Sequence, residues 1–257
     1  MITKDIQFWK DNHTKWLSNN PFQYWQLDGM LDGAVLDNIA DYDKIQNAWD
    51  YVNSIPDPSK RWGLSEFWND LEGKRGLSNV SGDQDIQEVL KYLNSDEFIG
   101  FLRHITGISD LIGDDMFSGG GVHIVPNGGK LGVHCDFSIH DDKKFSGYWR
   151  RVNVLLYMNH NWKDEWNGHL ELWDKPRKQG GVCVNKIRPD FNRMIIFGTN
   201  ENSWHGHPTP LECPEDTKRI SLATYYYSKQ SSGLNRHRKG FHGMSREGLT
   251  ALGDDNK

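Results

Sequence analysis

The chain has 257 residues, of which 36% are hydrophobic and 25% charged, with a formal net charge of -5 at pH 7. This length suits one domain of ordinary or slightly large size, whose core is large enough to be stable without a disulfide or a structural metal. The negative charge argues against a nucleic-acid partner, and the sequence contains no apolar run of the roughly 18 residues that a membrane span needs.

Cysteine use and the first residues indicate the compartment. The three cysteines are Cys135, Cys183 and Cys213, an odd number without a CxxC pair, so neither a disulfide framework nor a zinc knuckle is indicated. The opening residues, MITKDIQFWKDNH, contain no apolar segment of the kind found in a secretory signal. We therefore expect a cytoplasmic protein without a membrane partner, and the sequence leaves its oligomeric state open.

Residues 1–115 are predicted to be mainly helical. Within 84–108 the apolar residues recur at helical spacing, which indicates amphipathic helices. The triplet Asn94-Ser95-Asp96 predicts a break there, with a new helix N-cap. We expect these helices to support one face of the structure that follows, as part of one domain over 1–257.

From about Gly119 the sequence changes to short β-rich runs separated by Gly, Asn, Asp and Pro. The candidate strands lie at 120–126, 130–136, 150–158, 168–174, 182–187, 193–198, 203–207 and 219–228. Eight short strands without helices between them predict a sandwich or barrel of jelly-roll type over 116–228. Residues 229–257 form a basic C-terminal extension in this reading.

The segment HCD contains the first candidate metal ligands. His134 and Asp136 are two residues apart on a predicted strand, so their side chains point to the same side. A third ligand would come from a later strand, where His205 and His207 both qualify. Two histidines and one carboxylate leave three positions open on a metal, as in Fe(II) sites that bind a cosubstrate together with O2.

A candidate anion site lies on the last strand. Arg219 and Ser221 share one face of this strand, and a buried arginine is costly unless an anion meets it. A bound dicarboxylate would supply that anion, and Tyr157 on an adjacent strand could donate another hydrogen bond. The structural alternative pairs Arg219 with Glu212 or Glu215.

Four further residues have less certain roles. Asn153 lies four residues before Tyr157 on the same strand face and is a candidate for lining the pocket. His123 either lines the pocket or is an ordinary core histidine. Only one of Arg150 and Arg151 can face inward.

Five segments together resemble the prolyl-4-hydroxylase-like branch of the Fe(II)- and 2-oxoglutarate-dependent oxygenases. They are VHIVPNGGKLGVHCDF, RRVNVLLYMNHNW, NGHLELWD, NRMIIFGTNENSWHGHP and KRISLATYYYS, in the family's order over roughly 119–228. The resemblance implies an α+β fold, with a double-stranded β-helix (jelly-roll or cupin-like) core and N-terminal supporting helices.

The resemblance also assigns roles by position. His134, Asp136 and His205 would bind iron, with His205 preferred over His207 because it occupies the family's His-Gly position. Arg219 would bind the C5 carboxylate of 2-oxoglutarate, assisted by Ser221 and Tyr157.

By this resemblance the chain is a dioxygenase that uses Fe(II), 2-oxoglutarate and O2, with ascorbate as an auxiliary reductant. Its reaction couples hydroxylation of an unactivated C–H to decarboxylation of 2-oxoglutarate to succinate and CO2. Because halogenating relatives have a small residue in place of Asp136, the carboxylate favours hydroxylation, while desaturation and ring closure stay open. The substrate is favoured to be a peptide or protein side chain, with free amino acids and other small molecules as alternatives.

Two other classes of protein remain open. A cupin-type metal-dependent dioxygenase that does not use 2-oxoglutarate would bind metal at the same triad but need no Arg219. A non-enzymatic β-sandwich binding module would bind no metal.

Overall fold

The computed structural model describes residues 15–37, 66–69, 74–77, 84–115, 117, 119–136, 139–140 and 142–229. Its strands are β1 (Tyr24–Asp28), β2 (Glu66–Asn69), β3 (Lys74–Leu77), β4 (Ile112–Gly113), β5 (Gly121–Val125), β6 (Leu131–His134), β7 (Trp149–Tyr157), β8 (Leu170–Trp173), β9 (Cys183–Ile187), β10 (Arg193–Gly198), β11 (Trp204–His207) and β12 (Arg219–Ser228). Its helices are α1 (Gly33–Asp37), α2 (Gln84–Leu93) and α3 (Asp96–Thr106).

The strands form two antiparallel sheets. The major sheet has the order β1-β10-β7-β12-β5-β3-β2, with β4 also paired to β12, and the minor sheet has the order β6-β11-β8-β9. An apolar cluster joins Tyr157, Ile195 and Phe197 of the major sheet to Leu170 and Leu172 of the minor sheet. The two sheets therefore pack face to face, and the predicted double-stranded β-helix is confirmed.

The helices pack on the other face of the major sheet. Apolar residues of α2 and α3 share one buried cluster with the outward-facing residues of β7, β10 and β12. The Ser95 hydroxyl accepts a hydrogen bond from the Phe98 backbone N–H, so Ser95 caps the N-terminus of α3 as predicted. This packing makes β12 a central strand with every residue buried.

The described part of residues 1–115 contains strands as well as the expected helices. Four strands of this half, β1, β2, β3 and β4, join the major sheet. In β1 the buried Trp25 and Leu27 alternate with exposed residues, which is the pattern of a half-buried strand and not of a helix.

Three short 3-10 helices at Lys143–Phe145, Asp164–Trp166 and Arg177–Gln179 also lie between the core strands, where no helix was expected. The basic extension after residue 229 lies outside the described residues. In the part of the chain that the structure describes, no helix is long and apolar enough to cross a membrane.

Candidate active site

Two histidines and one aspartate come together between the sheets. His134 at the end of β6 is the direct cross-strand partner of His205 in β11, so both imidazoles lie on the same face of the minor sheet. Asp136 follows β6 by two residues, and its carboxylate lies 3.4 Å from the Nε2 atoms of both histidines. One potential ligand atom from each residue lies within 4.8 Å of the other two.

Backbone carbonyls orient the two imidazoles. The Nδ1 atom of His134 lies 2.8 Å from the Gly132 carbonyl, and that of His205 lies 2.8 Å from the Ser203 carbonyl. Since a carbonyl only accepts, Nδ1 carries the proton in each neutral ring and Nε2 presents its lone pair to the cluster. Burial lowers the pKa of His205 to about 4, so this ring is neutral at pH 7.

Two side chains of β7 hold the Asp136 carboxylate. Asn153 donates its amide N–H to Oδ2 at 2.5 Å, and the Arg150 guanidinium donates to the same oxygen from Nη2 at 3.1 Å. Burial by itself raises the pKa of Asp136, but the Arg150 charge and the neighbouring histidines outweigh it and hold this pKa well below its usual range. The carboxylate is therefore ionised and ready to bind a cation.

An irregularity in β7 turns Arg150 inward. The pairing of β7 with β12 shifts register between Tyr226 and Tyr227, so Tyr226 faces Val152 while Tyr227 faces Arg150. Regular alternation from Asn153 would instead place Arg151 on the inner face. Arg150 is the feature of the site that sequence reasoning did not assign, because no residue type marks this bulge.

Arg219 lies buried on β12, at the opposite end of the site from Arg150. Its Nε donates to the Gly168 carbonyl at 2.7 Å and its Nη2 to the Tyr157 hydroxyl at 3.1 Å. Among the described residues no carboxylate pairs with Arg219, so the structural alternative with Glu212 or Glu215 is not observed. A buried cation surrounded by neutral groups fits a carboxylate supplied by a ligand.

The other predicted residues are distributed around this site. Ser221 pairs in register with both Tyr157 and His123, so all three share the inner face of the major sheet. The Nε2 atom of His123 lies 3.0 Å from the Gly119 carbonyl. Asn153, the candidate for lining the pocket, contacts Asp136 and not the Tyr157 and Arg219 pair, because Tyr157 lies four residues further along β7.

His207 is separated from the triad. It follows a register shift in β11, pairs with Leu131, and lines a surface cavity that includes Glu171 and Lys186. Of the two candidate histidines, His205 is the one in the cluster.

The comparisons with known proteins agree with this geometry. A model described as the 2OG-Fe(II) oxygenase superfamily matches residues 120–227, which is almost the whole β core. Prolyl 3-hydroxylase OGFOD1 of Mus musculus is 24% identical over 168 residues, which is 61% of this chain and 30% of that protein. The match thus spans less than a third of this relative's length.

Two solved structures share the fold. One is a prolyl hydroxylase from Trichoplax adhaerens in complex with a hypoxia inducible factor peptide fragment, with a TM-score of 0.53 and 19% identity over 88% of this chain and 94% of that chain. The other is a Pseudomonas putida prolyl-4-hydroxylase, with a TM-score of 0.55 and 14% identity over 87% of this chain and 100% of that chain.

The side chains fit a ferrous ion and a dicarboxylate. Two imidazole nitrogens and one carboxylate oxygen, without a thiolate, form the donor set typical of non-haem Fe(II) sites with open positions. The buried Arg219 with the Tyr157 hydroxyl provides donors for a carboxylate at the other end of the same space between the sheets.

Proposed function

We propose that the chain is a member of the 2OG-Fe(II) oxygenase superfamily, an Fe(II)- and 2-oxoglutarate-dependent dioxygenase that hydroxylates a side chain in a peptide or protein. One substrate C–H bond becomes C–OH, O2 supplies the oxygen, and 2-oxoglutarate is converted to succinate and CO2. The second oxygen atom of O2 enters succinate, so the reaction balances.

One observation carries this proposal. A two-histidine, one-carboxylate cluster lies between the two sheets together with a buried arginine that meets no carboxylate among the described residues. A cupin-type dioxygenase that does not use 2-oxoglutarate would explain the cluster, but it would leave the buried Arg219 without a purpose. A non-enzymatic binding module would explain neither feature.

Each side chain has a distinct role in this reaction. His134, Asp136 and His205 would hold the metal through two imidazole nitrogens and one carboxylate oxygen. Arg219 and Tyr157 bind the distal carboxylate of 2-oxoglutarate, and the Ser221 hydroxyl on the same face assists. When bound, iron and 2-oxoglutarate supply the oxidising chemistry.

The surrounding protein orients these groups and excludes water. Tyr157 is fully buried, and burial raises the pKa of its hydroxyl, so this group remains a neutral hydrogen-bond donor at pH 7. A dry site strengthens the attraction between Arg219 and a carboxylate, because fewer water molecules screen it.

A peptide or protein side chain is the substrate class that the relatives support. The mouse relative is named a prolyl 3-hydroxylase, and the Trichoplax structure contains a peptide. A free amino acid is the alternative substrate class.

Turnover of 2-oxoglutarate tests the proposed reaction, with variants of His205 and His207 as a matched pair. We expect the wild-type protein with Fe(II) and ascorbate to convert 2-oxoglutarate to succinate, and His205→Ala to abolish this conversion. His207→Ala removes the same ring two residues away and should retain most of it, measured on protein that is shown to be folded by circular dichroism. Equal loss in both variants would contradict the assignment of His205 to the metal.

Mass spectrometry tests the substrate class. We expect proline-containing peptides incubated with the complete reaction to gain the mass of one oxygen atom, and free L-proline to remain unchanged. Hydroxylation of free proline alone would refute the peptide class while leaving the reaction intact.

A further inference from the structure

The first half of β7 contacts the candidate metal-binding carboxylate of Asp136 but contributes no ligand itself. We propose that Arg150 and Asn153 form a carboxylate clamp, which holds Asp136 by Oδ2 so that only Oδ1 is presented to the metal. The inference rests on the proposed function, since it concerns how the same site keeps its open positions.

Both donors of the carboxylate clamp act on the same oxygen. Asn153 Nδ2 lies 2.5 Å and Arg150 Nη2 lies 3.1 Å from Asp136 Oδ2. A carboxylate oxygen accepts about two hydrogen bonds through its two lone pairs, so the clamp occupies Oδ2. Both oxygens border the cluster, since Oδ1 lies 3.4 Å from His134 Nε2 and Oδ2 lies 3.4 Å from His205 Nε2. The two donors on Oδ2, and not a difference in distance, therefore leave Oδ1 as the oxygen available for a metal.

The carboxylate clamp is itself held in place. The Arg150 Nε donates to Asn153 Oδ1 at 2.7 Å, which joins the two donors to each other. The aromatic ring of Tyr225 lies against the guanidinium, with the Arg150 Cζ atom 3.3 Å from the ring centroid. Tyr225 is fixed in turn by its hydroxyl, which donates to the Gly119 carbonyl at 2.8 Å.

The register of the sheet also serves this arrangement. Without the shift opposite Tyr227, the inner position would belong to Arg151, and the guanidinium would not share a side of β7 with Asn153. The bulge therefore brings a cation and an amide, three residues apart, to the same carboxylate.

The consequence concerns the number of open positions. A carboxylate bound through both oxygens would take one of the positions that 2-oxoglutarate and O2 need. By occupying Oδ2, the clamp limits Asp136 to one bond. Outer-shell donors of this kind fix the orientation of a ligand and typically change metal affinity or activity by about 10–100-fold when removed.

A titration with Co(II) tests the clamp without turnover. We expect Arg150→Gln and Asn153→Ala to weaken Co(II) binding by about 10–100-fold and to change the visible spectrum of the bound ion. At saturating Co(II), both variants should also bind 2-oxoglutarate more weakly, although Arg219 is intact. Arg150→Lys retains the charge but not the planar donor geometry, so it should restore only part of the affinity.

The neighbouring arginine provides the matched control. Arg151→Gln removes the same group one position along β7, on the side away from Asp136, and should leave the Co(II) affinity within about twofold of wild type. Each variant is titrated below its own melting temperature, so that only folded protein is compared.

The outcomes separate the clamp from the function. An unchanged Co(II) affinity and spectrum in folded Arg150→Gln and Asn153→Ala would overturn the clamp, as would an equal loss in Arg151→Gln. Wild-type protein that bound no Co(II) would overturn the proposed function, and the clamp with it.

Discussion

Two buried arginines lie at opposite ends of the site, and their partners differ. Arg150 and Arg219 are only 2% and 4% exposed. Arg150 meets the carboxylate of Asp136, whereas Arg219 meets the Gly168 carbonyl and the Tyr157 hydroxyl, which are neutral. The anion of Arg150 is part of the chain, whereas none of the described residues supplies an anion to Arg219, which fits a ligand carboxylate.

The difference has an energetic consequence. Removing one partner of a buried ion pair leaves an uncompensated charge, at a cost of about 3–5 kcal/mol. Replacing a buried cation that has no internal anion removes a desolvated charge, which is often neutral or stabilising. Loss of Arg150 should therefore lower stability more than loss of Arg219. Loss of Arg219 should instead weaken 2-oxoglutarate binding more.

The largest effect is expected from Asp136→Asn, which removes the internal anion. It leaves Arg150 buried without its carboxylate and takes one ligand from the metal, so we expect metal-free protein to lose about 3–5 kcal/mol of unfolding free energy. Co(II) affinity should fall by more than about 100-fold. Urea denaturation and metal titration measure the two effects, and a stability change below about 1 kcal/mol would break the comparison.

A direct comparison of Arg150→Met with Arg219→Met comes next. The first change should cost about 3–5 kcal/mol of unfolding free energy in metal-free protein, and the second less than about 1 kcal/mol. Arg219→Met should instead weaken 2-oxoglutarate binding by about 10–100-fold, since a hydrogen bond to a charged group contributes about 1.5–3 kcal/mol. Equal destabilisation by both variants would mean that Arg219 has a structural anion after all.

Tyr157→Phe tests the Arg219 end of the site and should have a smaller effect on 2-oxoglutarate affinity. The change removes one hydroxyl donor, so 2-oxoglutarate affinity should fall by about fivefold, from about 1 kcal/mol for a neutral hydrogen bond. Tyr226→Phe is the control, because its hydroxyl donates to the Leu93 carbonyl on the helical side of the same sheet. An affinity loss of the same size in the control would refute the assignment of Tyr157.

A third arginine, Arg193, has an exposed aspartate as its partner, and this pair should matter least. Arg193 donates two hydrogen bonds to Asp28, and these lower the pKa of that aspartate. A lowered folded-state pKa means that the stabilisation is present at neutral pH and is lost as the pH falls towards acid. Because the Asp28 side chain is 57% exposed, water screens the pair, and Asp28→Asn should cost about 0.5 kcal/mol or less at pH 7. A loss above about 1 kcal/mol in urea denaturation would contradict this ranking.

Most of the residues that sequence reasoning identified lie on strands, and Asp136 follows β6 by two residues. Alternation along β12 placed Arg219 and Ser221 on one face, and the spacing of His134 and Asp136 placed them on one side, as the structure does. The same rule left open which of Arg150 and Arg151 faces inward, and a single register shift in β7 selects Arg150. In the first half, β1 was missed because its partner β10 is remote in sequence.

The most direct test of the central claim is an anaerobic titration of the protein with Fe(II) and then with 2-oxoglutarate. The account predicts a visible metal-to-ligand charge-transfer band that appears only when both are present. In Arg219→Met the band should require about 10–100 times more 2-oxoglutarate, because the distal carboxylate loses its cation. Iron binding without this band would contradict the proposed use of 2-oxoglutarate. A band with the same 2-oxoglutarate dependence in both proteins would contradict the role of Arg219.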